Sequence, residues 1–192
     1  MAARMGFVPS RTLHGGPFLS NVYPVSAAPA DSFFIGDVVC RVAGGTDNGG
    51  CVAYTTAREA NILGVVKACY DADKRPRTHS QPTRGPYIQA TAGGRHYVDV
   101  YDDPAIIYKV RCENSAGASN IGGFLHFLPV TAASQGNTAT GISRQSLTVF
   151  TAAGTPFRII GFAPDEVTEV GGSANALEVL IAPHRYNPGP AT

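Results

Sequence analysis

The stretch Tyr97-Val98-Asp99-Val100-Tyr101-Asp102-Asp103-Pro104-Ala105-Ile106-Ile107-Tyr108-Lys109-Val110-Arg111-Cys112 decides the fold. In its second half Ile106, Tyr108, Val110 and Cys112 fall on one face, while Lys109, Arg111 and Glu113 share the other with Ile107. That period of two belongs to a strand with one wet side. In the first half Tyr97, Asp99 and Tyr101 alternate with Val98 and Val100. Between the halves, Pro104 removes a ladder donor and pushes Asp103 out of the helical region, so the first strand stops there. Asp102 and Asp103 are placed to accept from nearby backbone N–H groups, as acidic residues do at turns. The pair also has a chemical reading, as a carboxylate dyad for acid–base or metal work. Adjacent strand residues point to opposite faces, so the two carboxylates do not readily converge. Asp102, Asp103 and Pro104 are therefore read as a structural corner.

Strand patterns recur on both sides of this corner. Towards the N-terminus, Ser32–Val42 reads as a strand region with a bulge or bend at Gly36-Asp37. Cys51–Tyr54 and Ile62–Tyr70 read as further strands. Towards the C-terminus, Ile121–Val130 is a strand or a buried crossing, in which His126 alternates with Phe124 and Leu128. No second His or Cys stands at metal spacing, so His126 reads as a core histidine. Leu147–Phe150, Phe157–Phe162 and Leu177–Ala182 complete the strands, and Thr138–Gln145 is the best place for a short helix. Roughly eight to ten short strands separated by turn signals predict an all-β chain, a single small β-barrel or sandwich of short antiparallel strands. That domain is expected over residues 32–186, after an extended N-terminal arm at 1–31 and before a short disordered tail at 187–192.

The chain has 192 residues and a mass of 20.0 kDa, which suits one domain with an arm and a core that needs no staples. Only 15% of residues are charged, while there are 22 Gly and 14 Pro. Such a mix suits short strands and many turns, and a surface partly hidden against neighbours, because interface cores are depleted of charge. A net charge of +1 gives no footprint for nucleic acid and no steering towards anionic membranes, so neither is expected as a partner. Cys40, Cys51, Cys69 and Cys112 show no paired metal spacing. Cys40 and Cys112 read as small buried hydrophobes, and a Cys40–Cys51 disulfide across a loop is the alternative weighed for one pair. With no signal peptide and no apolar run of transmembrane length, a soluble protein made in a reducing cytoplasm is expected.

Residues 1–31 hold no convincing element, being broken by Pro9, Gly15, Gly16 and Pro17. Yet Phe7, Val8, Leu13, Phe18, Val22 and Tyr23 make this segment richer in large apolar groups than a disordered tail. An arm docked on its own domain or on a neighbouring chain is the expectation, with truncation of residues 1–22 leaving the domain folded. The Gly44–Gly50 turn superficially resembles a calcium loop but lacks its repeated acidic positions. Residues 71–86 form a polar excursion with the chain's one basic cluster, Lys74, Arg75, Arg77 and Arg84, offset by Asp71 and Asp73. A solvated or partner-facing loop is expected there.

The search for catalytic constellations is negative. Gly171-Gly172-Ser173-Ala174-Asn175 nearly matches a nucleophile elbow, but Asn175 replaces the last glycine and a strand follows where the elbow needs a helix. No P-loop, dinucleotide fingerprint or HExxH occurs. The carboxylates Glu59, Asp99, Asp165, Glu166, Glu169 and Glu178 are scattered. No enzyme activity, metal or cofactor is expected.

An ordered set of short motifs resembles the head decoration, or cement, proteins of tailed bacteriophages. The set comprises Gly6-Phe7-Val8-Pro9-Ser10-Arg11, Phe34-Ile35-Gly36-Asp37-Val38-Val39, Ile62-Leu63-Gly64-Val65-Val66, Tyr101-Asp102-Asp103-Pro104, Gly136-Asn137-Thr138-Ala139-Thr140-Gly141, Phe157-Arg158-Ile159-Ile160-Gly161 and Leu177-Glu178-Val179-Leu180-Ile181. Residues 71–86 have no counterpart in it. The resemblance implies a non-enzymatic virion protein on the outer capsid surface. Its partners would be the major capsid protein and itself, as a homotrimer that bridges capsid subunits and stabilises the shell. An apolar, turn-broken arm suits that role, since an extended segment can add to a neighbour's sheet. Phe7, Val8, Pro9, Arg11, Leu13 and Phe18 are the expected interface residues, and Lys74, Arg75, Arg77 and Arg84 the partner-facing loop. The alternative is a phage head fibre or carbohydrate- or receptor-binding β module, with Tyr87, Tyr97 or Tyr186 stacking on a ligand.

Overall fold

The computed structural model describes residues 6–25, 31–41, 50–53, 62–78, 85–90, 94–114, 116–127, 136–149, 156–163, 175–184 and 187–188. In chain order the first strands are β1 (Val8–Thr12), β2 (Asn21–Pro24), β3 (Val38–Arg41), β4 (Cys51–Ala53) and β5 (Ile62–Tyr70). The corner is flanked by β6 (Tyr97–Tyr101) and β7 (Ile106–Arg111), followed by β8 (Phe124–Phe127), β9 (Gly136–Asn137) and β10 (Ile142–Ser143). The remainder are β11 (Leu147–Val149), β12 (Phe157–Phe162), β13 (Ala176–Ile181), β14 (Pro183–His184) and β15 (Asn187–Pro188).

The corner carries the chain from one sheet to another. A six-stranded antiparallel sheet runs β1-β7-β13-β12-β8-β11, and a seven-stranded sheet runs β15-β14-β5-β3-β4 with β6 on β5 and β2 on β6. Tyr97–Tyr101 thus belongs to one sheet and Ile106–Arg111 to the other. The alternation read from the sequence explains why. Ile106, Tyr108, Val110 and Cys112 pack in one core with Leu125, Phe157, Leu177 and Val179, where they meet Val38, Cys40, Ile62 and Val65 of the facing sheet. Val98 and Val100 point away, into a second core with Val39, Leu63, Val66 and Cys69. Phe33, Ile88 and Val25, from segments outside the sheets, cover that second core. The fold is an all-β sandwich, with no closed barrel among the described residues.

Asp103 is the turn residue the sequence predicts: its Oδ1 accepts from the Ala105 N–H at 2.8 Å. One glycine is dictated by close approach, because a Cβ on Gly64 in β5 would run into the Tyr101 carbonyl of β6. All four cysteines are buried as thiols, so Cys40 and Cys51 form no disulfide.

Three expectations need correction. The arm holds elements: β1 pairs with β7 in the first sheet and β2 with β6 in the second. Thr138–Gln145 is no helix. It spans the end of a β9–β10 hairpin, whose turn is held by Asn137 Oδ1 accepting from Ala139 N–H at 3.0 Å and by Gly141 in the left-handed region. Short side-chain-to-backbone bonds of this kind compete with helix. In the segment read as a tail, Asn187–Pro188 pairs antiparallel with Pro183–His184. The Gly44–Gly49 turn, Ser173, Glu59, Asp165, Glu166, Glu169, Arg84, Tyr186 and the side chain of His126 lie outside the described residues.

Candidate interaction surface

The arm joins the sandwich by its root. The Phe7 N–H donates to the Gly36 carbonyl at 3.0 Å, and the ring, 2% exposed, packs edge-on to Tyr108 and beside Phe157 with centroids 6.3 and 5.1 Å apart. Phe7 is therefore a core residue, and its place among the interface residues is withdrawn. Burying such a ring is worth about 2–3 kcal/mol. Arg11 of β1 reaches the nearly buried Glu178 of β13, with Nη2 to Oε2 at 2.8 Å, and the Ser10 hydroxyl donates to Oε1 at 2.7 Å. The carboxylate's hydrogen bond and charge hold the Arg11 guanidinium above its ordinary pKa. Arg11 thus serves its own chain, and Glu178 is a bracing carboxylate.

Beyond Thr12 the arm's surroundings invert. Leu13, Phe18, Leu19 and Val22 are between 38% and 59% exposed, as is Val8 on β1. The neighbouring polar residues fasten this segment. Asn21 Nδ2 donates to Asp102 at 2.8 and 3.1 Å, the Tyr23 hydroxyl donates to the same carboxylate, and the Lys67 ammonium donates to the Ser20 hydroxyl at 2.9 Å. Asp102 therefore accepts from the arm's side chains, where the sequence suggested backbone N–H groups, and the corner doubles as the arm's clasp. Lys67 also pairs with Asp99 at 3.1 Å, and that hydrogen bond raises its pKa.

Between root and corner lies an open cleft of about 250 Å³. Val8 and Pro9 of the arm, Ile35, Tyr101 and Ile142 line it, and among the described residues Lys67 is the one charged group at it. Ile142 is 41% exposed, and Phe18 packs edge-on to Tyr101 at 6.0 Å. Val8, Ile142, Tyr101 and Phe18 thus join cleft and arm into one apolar face. Large contiguous apolar faces are where interaction sites are found, whereas single exposed hydrophobes need no explanation.

Residues 71–78, the start of the polar excursion, are organised by a residue the sequence treated only as a counter-charge. Buried Asp71 accepts through Oδ1 from the backbone N–H groups of Asp73 at 3.0 Å and Arg75 at 2.9 Å. Lys74 lies over the Tyr97 ring at 5.1 Å, and Arg77 donates to the Gly85 carbonyl at 3.2 Å, while Arg75 is exposed. Among the described residues, Lys74, Arg75 and Arg77 do not converge on one anion site. Tyr87 stacks on Phe34, at 4.9 Å and 9° between planes, so one of its faces is occupied within the chain.

Among the described residues no group of three or more His, Cys, Asp or Glu is placed to hold a metal ion. Burial pushes the Cys51 and Cys69 thiols up to about 12, which keeps both unreactive at neutral pH. Sequence reasoning missed the cleft, the Arg11–Glu178 brace and the burial of Asp37. Only Asp37 left a trace, as a lone acid inside the apolar run Phe33–Val39. Comparisons with protein-family models, with curated proteins and with solved structures found no match.

Proposed function

We propose that this chain is a structural virion protein. It binds the outer surface of a tailed-phage capsid as an oligomer and stabilises the shell by bridging major capsid protein subunits. The observation that carries this reading is the arm's exposed apolar crest, Leu13 to Val22, fastened to the sandwich by Asn21, Tyr23 and Ser20 and continuous with the cleft. A braced backbone that turns its apolar side chains outward binds with little ordering cost. Repeated around a shell, such contacts act together, and avidity exceeds any single affinity. The low charge of the chain and the ordered motifs resembling cement proteins support the same reading.

The test is co-sedimentation of the purified protein with expanded shells assembled from a tailed-phage major capsid protein. Saturable binding that protects the shells against heat or osmotic shock is expected. No association with shells, together with a positive glycan array, would move the assignment to a carbohydrate-binding module.

A further inference from the structure

Asp37 sits where the arm root, the Phe34–Val38 turn and β10 meet. It is 3% exposed; its Oδ2 accepts from the Phe34 N–H at 2.8 Å, and its Oδ1 is buried with no hydrogen-bond partner. A buried charge with an unsatisfied oxygen is costly. The backbone around it is shared by all three pieces of chain. Gly36 accepts from the Phe7 N–H at 3.0 Å and donates to the Val66 carbonyl at 2.8 Å, while the Val66 N–H donates to the Asp37 carbonyl at 2.8 Å. From the other side, the Ser143 N–H donates to Ile35 at 2.8 Å and Gln145 Oε1 accepts from the Val38 N–H at 2.8 Å. Gly6 closes the corner: a Cβ there would stand 2.9 Å from both the Gly36 carbonyl and Ser143 Oγ. Ile35, Gly36, Phe7 and Ile142 also line the cleft, so whatever disturbs the turn disturbs the arm root and the cleft wall together.

We propose that Asp37 is a proton-operated latch beneath the arm root: its neutral carboxyl keeps the Phe7 seat closed, and its ionisation loosens the turn, the root and β10 as a unit. The groups facing it bear this out. Burial pushes the carboxyl up to about 7; the Ser143 hydroxyl and the Phe34 N–H oppose that, and the charge of Asp31 adds to it. From β5 it faces the Cys69 thiol, and Lys67, the cation of that strand at the cleft, is engaged by Asp99 and Ser20. Because the folded carboxyl holds its proton more tightly than an open one, the closed state's advantage is complete below about pH 4. It declines as pH rises to about 7 and is level above that. The latch stands independently of the capsid reading.

Amide hydrogen exchange, corrected for intrinsic rates, tests it on the full chain. Between pH 5 and pH 8, protection of the Phe7, Gly36 and Val66 amides should fall about a hundredfold, while the Tyr108 and Val179 amides of the β7–β13 pair keep theirs. In Asp37→Asn the fall should vanish. Equal loss at Tyr108 and Val179 would make Asp37 a term in global stability and overturn the latch, as would the same pH profile in the Asn variant. Should that variant fail to fold, carbon NMR of the Asp37 carboxyl in the wild type decides. A midpoint near 7 that tracks the amide profile supports the latch, and a midpoint below about 5 overturns it.

Discussion

The two halves of the arm are alike in composition and opposite in environment. At the root, Phe7 is sealed in the core and Arg11 spends its charge on Glu178. At the crest, Leu13, Phe18, Leu19 and Val22 face outward, and the polar residues between them grip the sandwich. The usual division, apolar in and polar out, holds at the root and is reversed at the crest. Root residues thus contribute to folding, and crest residues are left exposed. Removal of residues 1–22, which the sequence alone would expect to leave the domain folded, would on this division take Phe7 and β1 along with the crest.

The largest effect should therefore come from the root. Phe7→Ala removes a ring that touches Tyr108 and Phe157 and leaves a cavity between the sheets. A loss of about 3–5 kcal/mol is expected in urea unfolding. A loss below about 1 kcal/mol would mean that the root is as dispensable as the crest, and the division would collapse.

The corner should give an intermediate effect, since it belongs to both halves. Asp102→Ala strips the Asn21 amide and the Tyr23 hydroxyl of their shared acceptor, at a cost of roughly 1–3 kcal/mol. Asn21→Ala on its own should cost less, and the two changes should be non-additive, because they share one interaction. Full additivity in a double-mutant cycle would sever the corner from the arm.

What was legible in the sequence follows from the range of the signals. The alternation over Tyr97–Tyr101 and Ile106–Cys112 is local, so both strands and the Asp-Asp-Pro stop could be read directly. That the two strands enter different sheets could not, because the pattern records which face is buried and not what covers it. β1 was invisible for a related reason. Val8-Pro9-Ser10-Arg11-Thr12 buries only Thr12, and the strand exists through its pairing with β7 and a register shift between Pro9 and Arg11. The crest shows the same limit: in the sequence Leu13 and Phe18 are apolar anchors of the same kind as Phe7, and only the fold separates them from it. Glu178 looked like one scattered carboxylate among several until β13 brought it beside β1.

The smallest effect on stability should accompany the clearest effect on binding. Leu19 is 59% exposed, and replacing it by Ser removes apolar surface that the folded chain barely uses. Unfolding free energy should change by no more than about 0.5 kcal/mol, as for surface substitutions generally. If the crest meets the capsid, the same variant should lose one buried leucine per contact, about 2 kcal/mol or some thirtyfold in affinity for a single site. Decoration of whole shells would amplify that loss, because every subunit carries it. Calorimetric unfolding and shell co-sedimentation on one preparation separate the outcomes. Unchanged stability with weakened binding is the signature of an interface residue. Lowered stability would place Leu19 with the root, and unchanged binding would take the crest out of the capsid contact.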